Sequence, residues 1–250
     1  MTALHHALVS GGGSGIGRAV ALSLAESGIA VTICGRKAAP LEAVAAGNRN
    51  IHAHVADVTD EASVAALYEA AEGARGPFDI VVANAGIASS APAWKTTLED
   101  WNRIVNVNLT GSFLTVRPAL KGMAERGRGR IIFIASVAGL RGSAYVASYV
   151  ASKHGVVGLM KSLSVELLKS GVTVNAICPG YVQTEMLEES IRRVMEKTGR
   201  SEEEARRGFA ETNPNHRLIQ PEEVAAAAMW LVSDAAISVT GQAIAISGGA

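Results

Sequence analysis

Ser10-Gly11-Gly12-Gly13-Ser14-Gly15-Ile16-Gly17 stands between a short apolar run, residues 7–10, and a helical pattern over residues 16–27. Gly11, Gly15 and Gly17 form a Gly-x-x-x-Gly-x-Gly pattern, and the stricter G-x-G-x-x-G is absent from this segment. Glycines at such a junction allow a tight turn, close approach of a pyrophosphate and close packing of helix on strand. The helix N-terminus adds free N–H groups and a partial positive charge. The segment reads as a dinucleotide-phosphate turn, with Gly11, Gly13, Ser14, Gly15, Ile16 and Gly17 as its contacts. A plain loop is the alternative.

The rhythm on either side agrees. Apolar runs rich in Val and Ile cover residues 7–10, 30–34, 51–55, 80–83, 131–135, 173–177 and 243–246. Most do not alternate with polar residues, as expected of strands covered on both faces. Helical patterns lie between them, over residues 16–27, 62–71, 98–126, 147–169 and 222–233. Strands alternating with helices predict a single α/β domain over residues 1–250, a doubly wound Rossmann fold with a seven-stranded parallel sheet. One charged excursion, residues 185–215, breaks the rhythm. It reads as helical, either a solvated insertion or a substrate lid.

After the second run comes Gly35-Arg36-Lys37, where NAD-binding folds usually place an acid for the ribose 2′-hydroxyl. Arg36 and Lys37 instead suit a 2′-phosphate. NADP(H) is the expected cofactor and NAD(H) the alternative, with Arg36 then a solvated residue.

Composition excludes other classes. The 250 residues carry 23 basic and 23 acidic side chains. That leaves no basic footprint for nucleic acid. Two distant cysteines, Cys34 and Cys178, fit neither a disulfide framework nor a metal-ligand spacing. No signal-peptide pattern opens the chain, and no apolar run is long enough for a bilayer, so a cytoplasmic protein without membrane contact is expected. His52 and His54 share a strand face but have no acidic or cysteine partner placed with them, so no metal is expected. Arg126, Arg128 and Arg130 read as a solvated turn or, more sharply, as a docking surface for an acidic acyl carrier or coenzyme A.

Tyr149-Val150-Ala151-Ser152-Lys153 lies in a helical pattern. Residues four apart share a face, so Tyr149 and Lys153 point the same way. A phenol beside an ammonium is a proton donor or acceptor whose pKa the lysine lowers. Alone, the pair is common.

Six segments in order change its weight: the glycine turn, Ala83-Asn84-Ala85-Gly86, Asn108-Leu109-Thr110-Gly111, Ala135-Ser136, the Tyr149 motif, and Pro179-Gly180-Tyr181-Val182-Gln183-Thr184. Together they resemble the short-chain dehydrogenase/reductase family over essentially the whole chain. Ser10 stands where the family usually has Thr, and Ala83 where it often has Asn. The resemblance implies a catalytic tetrad of Asn108, Ser136, Tyr149 and Lys153. Ser136 would bond the substrate oxygen, Lys153 the nicotinamide ribose, and Asn108 a proton-relaying water. It places Asn84, Ala85 and Gly86 on the adenosine side, Asp57 and Val58 at the adenine, and Pro179, Gly180, Val182 and Thr184 at the nicotinamide. It implies a hydride exchanged between the cofactor and a small-molecule carbonyl or alcohol, and a homotetramer.

The substrate pocket is expected from residues 87–94, 137–146 and 185–215, the first two mostly small and apolar. The 185–215 excursion is similar to that of 3-hydroxybutyrate dehydrogenases, but Ala138 stands where those enzymes have His and Val146 where they have Lys. Residues 129–158 resemble bacterial 3-ketoacyl and polyketide ketoreductases, which implies a ketone or a 3-ketoacyl thioester. A secondary-alcohol or 3-hydroxyacid dehydrogenase is the alternative. A non-catalytic dinucleotide-binding regulator is a further one, against which the intact tetrad speaks.

Overall fold

In the computed structural model, which describes residues 4–249, the first apolar run is strand β1 (His6–Ser10) and the glycine turn leads into helix α1 (Gly15–Glu26). The chain continues as β2 (Ala30–Gly35), α2 (Ala38–Ala46), β3 (Ile51–Val55), α3 (Glu61–Arg75), β4 (Ile80–Ala83), α4 (Leu98–Val105) and α5 (Gly111–Arg126). Then come β5 (Gly129–Ile134), α6 (Ala147–Glu166), β6 (Val172–Pro179), α7 (Glu185–Thr198), α8 (Glu202–Thr212), α9 (Pro221–Val232) and β7 (Ala243–Ile246). The strands are all parallel, in the order β3-β2-β1-β4-β5-β6-β7. Strand order reverses between β1 and β4. A doubly wound sheet binds ligands in the crevice beyond the strand ends at that point.

Every residue of β1, β4, β5 and β6 is buried, as uninterrupted apolar runs require. The outer strands β3 and β7 are only partly covered, so burial of both faces fails at the sheet's two edges. One apolar cluster packs α3, α5 and α6 on one face, around Leu67, Phe78, Met123, Phe133 and Met160. The other packs α1, α2 and α9 on the opposite face, around Leu24, Ile33, Leu41, Ile132 and Leu231.

Two elements depart from the sequence expectation. Helix α2 was not expected, because its one buried stripe is Leu41 and Val44 and Pro40 interrupts its first turn. The single helix expected over 98–126 is split. Residues Asn106–Thr110 widen into a π-helical turn between α4 and α5. Such a turn inserts a residue into the helical ladder and is frequent at functional sites.

The arginines near β5 make bonds within the fold. Arg126 donates to the Phe78 carbonyl at 2.8 Å, Arg128 pairs with buried Asp79 at 3.3 Å, and Arg130 is 4% exposed. They brace the N-terminal ends of the strands, across the sheet from the ends that carry the glycine turn. The turn itself is solvated at Arg126 and Gly127, whereas Arg130 lies in the strand and is buried.

Residues 185–215 fold as a helical hairpin, α7 and α8. It has its own small cluster of Leu187, Ile191 and Ala205 with Tyr181 and Phe209 packed on it. A two-pronged Arg206–Glu188 pair at 2.9 and 2.7 Å ties the helices together.

Candidate active site

The glycine turn has the conformation its sequence demands. Gly11 adopts φ +65°, and a Cβ there would stand 2.8 Å from the Asn84 amide. Only glycine tolerates both. Ser14 caps α1 without a side-chain hydrogen bond, and no acid occupies the first turn. The first N–H groups of α1 thus face the crevice with nothing from their own turn to satisfy them, which is the donor set a pyrophosphate uses. The turn fits a dinucleotide.

Ser10 braces this turn against the next strand end. Its hydroxyl accepts the N–H groups of Asn84 at 3.0 Å and Ala85 at 3.1 Å, and Asn84 Nδ2 donates to the Ser10 carbonyl at 2.8 Å. Asn84 and Ala85 are therefore held at the crevice by main-chain bonds. Sequence reading noted Ser10 only as a departure and missed this work.

Asp57 follows β3, and its Oδ1 accepts the N–H and hydroxyl of Thr59 at 2.9 and 2.8 Å. These bonds, with nearby Arg36 adding a smaller share, hold the carboxyl below its ordinary range. Val58 is buried against Gly111. Arg36 and Lys37 are exposed at the end of β2, with no acid between them and α2.

On the other side of the crevice, Asn108 sits in the π-helical turn and is fully buried. Its Oδ1 accepts the Ile87 N–H at 2.8 Å. Its Nδ2 donates to the Ile87 carbonyl and the Ser152 hydroxyl, both at 3.0 Å. Ser152 donates in turn to the Tyr149 carbonyl at 2.8 Å. Asn108 thus links the loop after β4 to α6 through Ser152, a second residue that sequence reading passed over although it lies inside the Tyr149 motif. A Cβ on Gly86 would stand 3.3 Å from Asn108 Oδ1 and 3.6 Å from Lys153 Nζ, so these three meet.

Ser136 lies at the end of β5. Its hydroxyl accepts the Ala138 N–H at 3.1 Å, so it caps a short turn, and it also hydrogen-bonds the Tyr149 phenol. Lys153 Nζ stands 5.7 Å from the centre of the Tyr149 ring and donates to the Ile134 carbonyl at 2.8 Å. The four residues of the expected tetrad converge.

Their electrostatics differ from the expectation in one respect. Burial pushes the Tyr149 phenol up to about 12, and the group that lowers it is Ser136, not Lys153. Burial brings Lys153 down to about 8. Desolvation outweighs the attraction between the two groups. Cys178, in β6, is pushed up to about 11 by burial, with the Ser136 N–H and Lys153 pulling the other way.

Beyond β6, Gly180 N–H donates to Ile246 at 2.9 Å, Val182 bridges to Ile219, and Thr184 caps α7 by accepting from Leu187. Pro179 ends the strand. The positions expected at the nicotinamide therefore follow one another from the end of β6 to the start of α7, with Pro179 beside Ser136.

A sequence profile described as short chain dehydrogenase matches residues 5–194, and these carry the glycine turn and all four members of the tetrad. The chain belongs to the short chain dehydrogenase family. Among curated relatives, it is 36% identical to a D-beta-hydroxybutyrate dehydrogenase of Rhizobium meliloti, with 97% of each chain covered. It is 38% identical to an acetoacetyl-CoA reductase of Shinella zoogloeoides, again with 97% of each covered. A crystal structure of a variant actinorhodin polyketide ketoreductase with NADPH superposes with a TM-score of 0.95 at 37% identity, covering 100% of this chain and 98% of that one. This short chain dehydrogenase is an oxidoreductase that uses a nicotinamide dinucleotide. Among the described residues, no group of three or more His, Cys, Asp or Glu converges, and no helix is long and apolar enough to cross a membrane.

Proposed function

We propose that this dehydrogenase reduces a ketone, free or as a 3-ketoacyl thioester, to a secondary alcohol, with Tyr149 giving the proton. The observation that carries the reading is the convergence of Ser136, Tyr149 and Lys153 at the crevice, with Asn108 tying the loop after β4 to α6. The Tyr149 phenol, pushed up by burial, stays protonated at neutral pH and is placed to give its proton. When bound, the cofactor supplies the hydride. Ser136 and Tyr149 orient and polarise the carbonyl oxygen, and the phenol hands its proton to the developing alkoxide. Lys153 keeps one N–H on Ile134, which leaves two for the ribose hydroxyls. Asn108 holds the loop after β4 at the right distance from α6. The same four groups serve the reverse reaction once Tyr149 is deprotonated.

NADP(H) is the proposed cofactor, supported by exposed Arg36 and Lys37 and by the absence of an acid at the end of β2. A thioester substrate is supported by the likeness to the acetoacetyl-CoA reductase. The likeness to the hydroxybutyrate dehydrogenase supports a second reading, a 3-hydroxyacid dehydrogenase. Ala138 and Val146 offer that substrate's carboxylate no charge. A cytoplasmic homotetramer is proposed too, supported by Val165 on α6 and Trp230 on α9, exposed apolar residues that a subunit interface would cover. The deciding experiment is Tyr149→Phe, titrated with NADPH and assayed with ketones and 3-ketoacyl thioesters. The expected result is lost turnover with NADPH binding retained. Persistent turnover would remove Tyr149 from the mechanism.

A further inference from the structure

The helical hairpin leaves the sheet at Thr184 and returns at Asn213, and one side chain staples its two ends. Asn213 is 2% exposed. Its Oδ1 accepts the Tyr181 N–H at 3.0 Å, and its Nδ2 donates to the carbonyls of Tyr181 at 3.0 Å and Arg217 at 2.7 Å. The amide therefore pairs with both main-chain groups of Tyr181, as a neighbouring strand would. Ile219 reinforces it: its N–H donates to the Tyr181 carbonyl and its carbonyl accepts the Gln183 N–H, both at 2.9 Å. The residue before the clamp is matched to it. A Cβ on Gly180 would stand 2.4 Å from Asn213 Oδ1, so any larger residue there would displace the amide.

A buried amide is costly unless its bonds are made, and here one oxygen and one nitrogen make three. What those bonds fix is the path of residues 180–184 and the place of the Tyr181 ring. That ring packs on Phe209 of α8 at 5.0 Å between centres, and its phenol lies near enough to Tyr149 to raise that group. One end of the clamp is thus in the hairpin and the other in the catalytic site.

We infer that Asn213 is a positioning residue: it sets the loop that presents the nicotinamide and makes that loop's position depend on the hairpin. This rests on the assignment of residues 180–184 to the nicotinamide. The test uses the full-length enzyme in three variants, Asn213→Ala, Asn213→Asp and Thr184→Val. It measures KM for NADPH, melting temperature, and the share of deuterium transferred from NADPH labelled on one face of the ring. Asn213→Ala should raise KM for NADPH roughly tenfold, the scale of one or two lost hydrogen bonds. It should also let part of the label stay on the cofactor, which a merely destabilised fold does not do. Asn213→Asp keeps an acceptor for the Tyr181 N–H but turns a buried carboxylate oxygen on the carbonyls of Tyr181 and Arg217, and should raise KM at least as much as the alanine. Thr184→Val alters the loop itself and should raise KM whatever Asn213 does. An Asn213→Ala enzyme that melts earlier but keeps the wild-type KM and complete label transfer would overturn the proposal while leaving the loop assignment standing, provided Thr184→Val still raises KM. If Thr184→Val also leaves KM unchanged, the loop does not hold the nicotinamide and the proposal falls with it.

Discussion

Lys153→Met should make this enzyme more stable at neutral pH while destroying its activity. Lys153 is 5% exposed, and burial brings it from lysine's ordinary 10.5 to about 8. At about 1.4 kcal/mol per tenfold change, keeping that ammonium buried costs about 3 kcal/mol at neutral pH. Methionine has a similar length and no charge to desolvate. It also abandons the charge-assisted bond to the buried Ile134 carbonyl, a loss of about 2 kcal/mol. The net gain is about 1 kcal/mol, or a rise of roughly 2–4 °C in melting temperature for a chain of this size. The sign against pH follows from the lowered value. The folded state gives up its proton near 8 and the unfolded state near 10.5, so the wild type gains stability as pH rises between them and the advantage of the variant shrinks. Urea unfolding of both proteins at about pH 7 and about pH 10 checks this. A variant less stable than wild type at pH 7, or a gap that does not narrow by pH 10, would refute the claim that desolvation governs Lys153.

Alcohol oxidation should climb steadily as pH rises above neutrality, because the phenol held at about 12 must first lose its proton, whereas ketone reduction should be flat below about 8; paired initial rates across pH show whether the two directions diverge. Acid should weaken the fold through His6, which burial holds below 6.5 while Nδ1 donates to Gly76 and Nε2 accepts from Thr32; its contribution is intact above pH 6.5 and lost as pH falls below, and His6→Gln should flatten that loss in denaturant titrations. Ser10→Ala should raise the Kd for NADPH while Ser10→Thr leaves it near wild type, measured by nicotinamide fluorescence, because only the alanine strips the acceptor from Asn84 and Ala85. Arg36→Glu should shift preference from NADPH toward NADH in the same titration, and an unchanged ratio would mean that Arg36 faces solvent.

The alternation of apolar runs with helical patterns carried the fold, because parallel strands buried on both faces leave an unmistakable record in Val and Ile. The record fails where burial is partial. Helix α2 has too narrow an apolar stripe to announce itself; β3 was still legible over residues 51–55 although it exposes alternate residues at the sheet edge. The π-helical turn was invisible for another reason: no Gly or Pro interrupts Asn106–Thr110, and the extra residue is absorbed because Asn108 finds three partners on neighbouring segments. The tetrad was legible because its members are fixed by short motifs. Asn213 was not. Nothing in Asn213-Pro214-Asn215 says that its amide reaches back 32 residues to Tyr181. The pKa order was misjudged because a sequence shows which charges are neighbours and says little about how much water each one loses.

The hairpin's separate apolar cluster has a consequence for how such an enzyme's sequence can change. Leu187, Ile191 and Ala205 belong to neither of the two clusters that hold the sheet and its helices together. Mutations across most of α7 and α8 can therefore accumulate without threatening the scaffold, provided the staple at Asn213 survives. A segment of this kind is free to drift in sequence while the tetrad stays fixed.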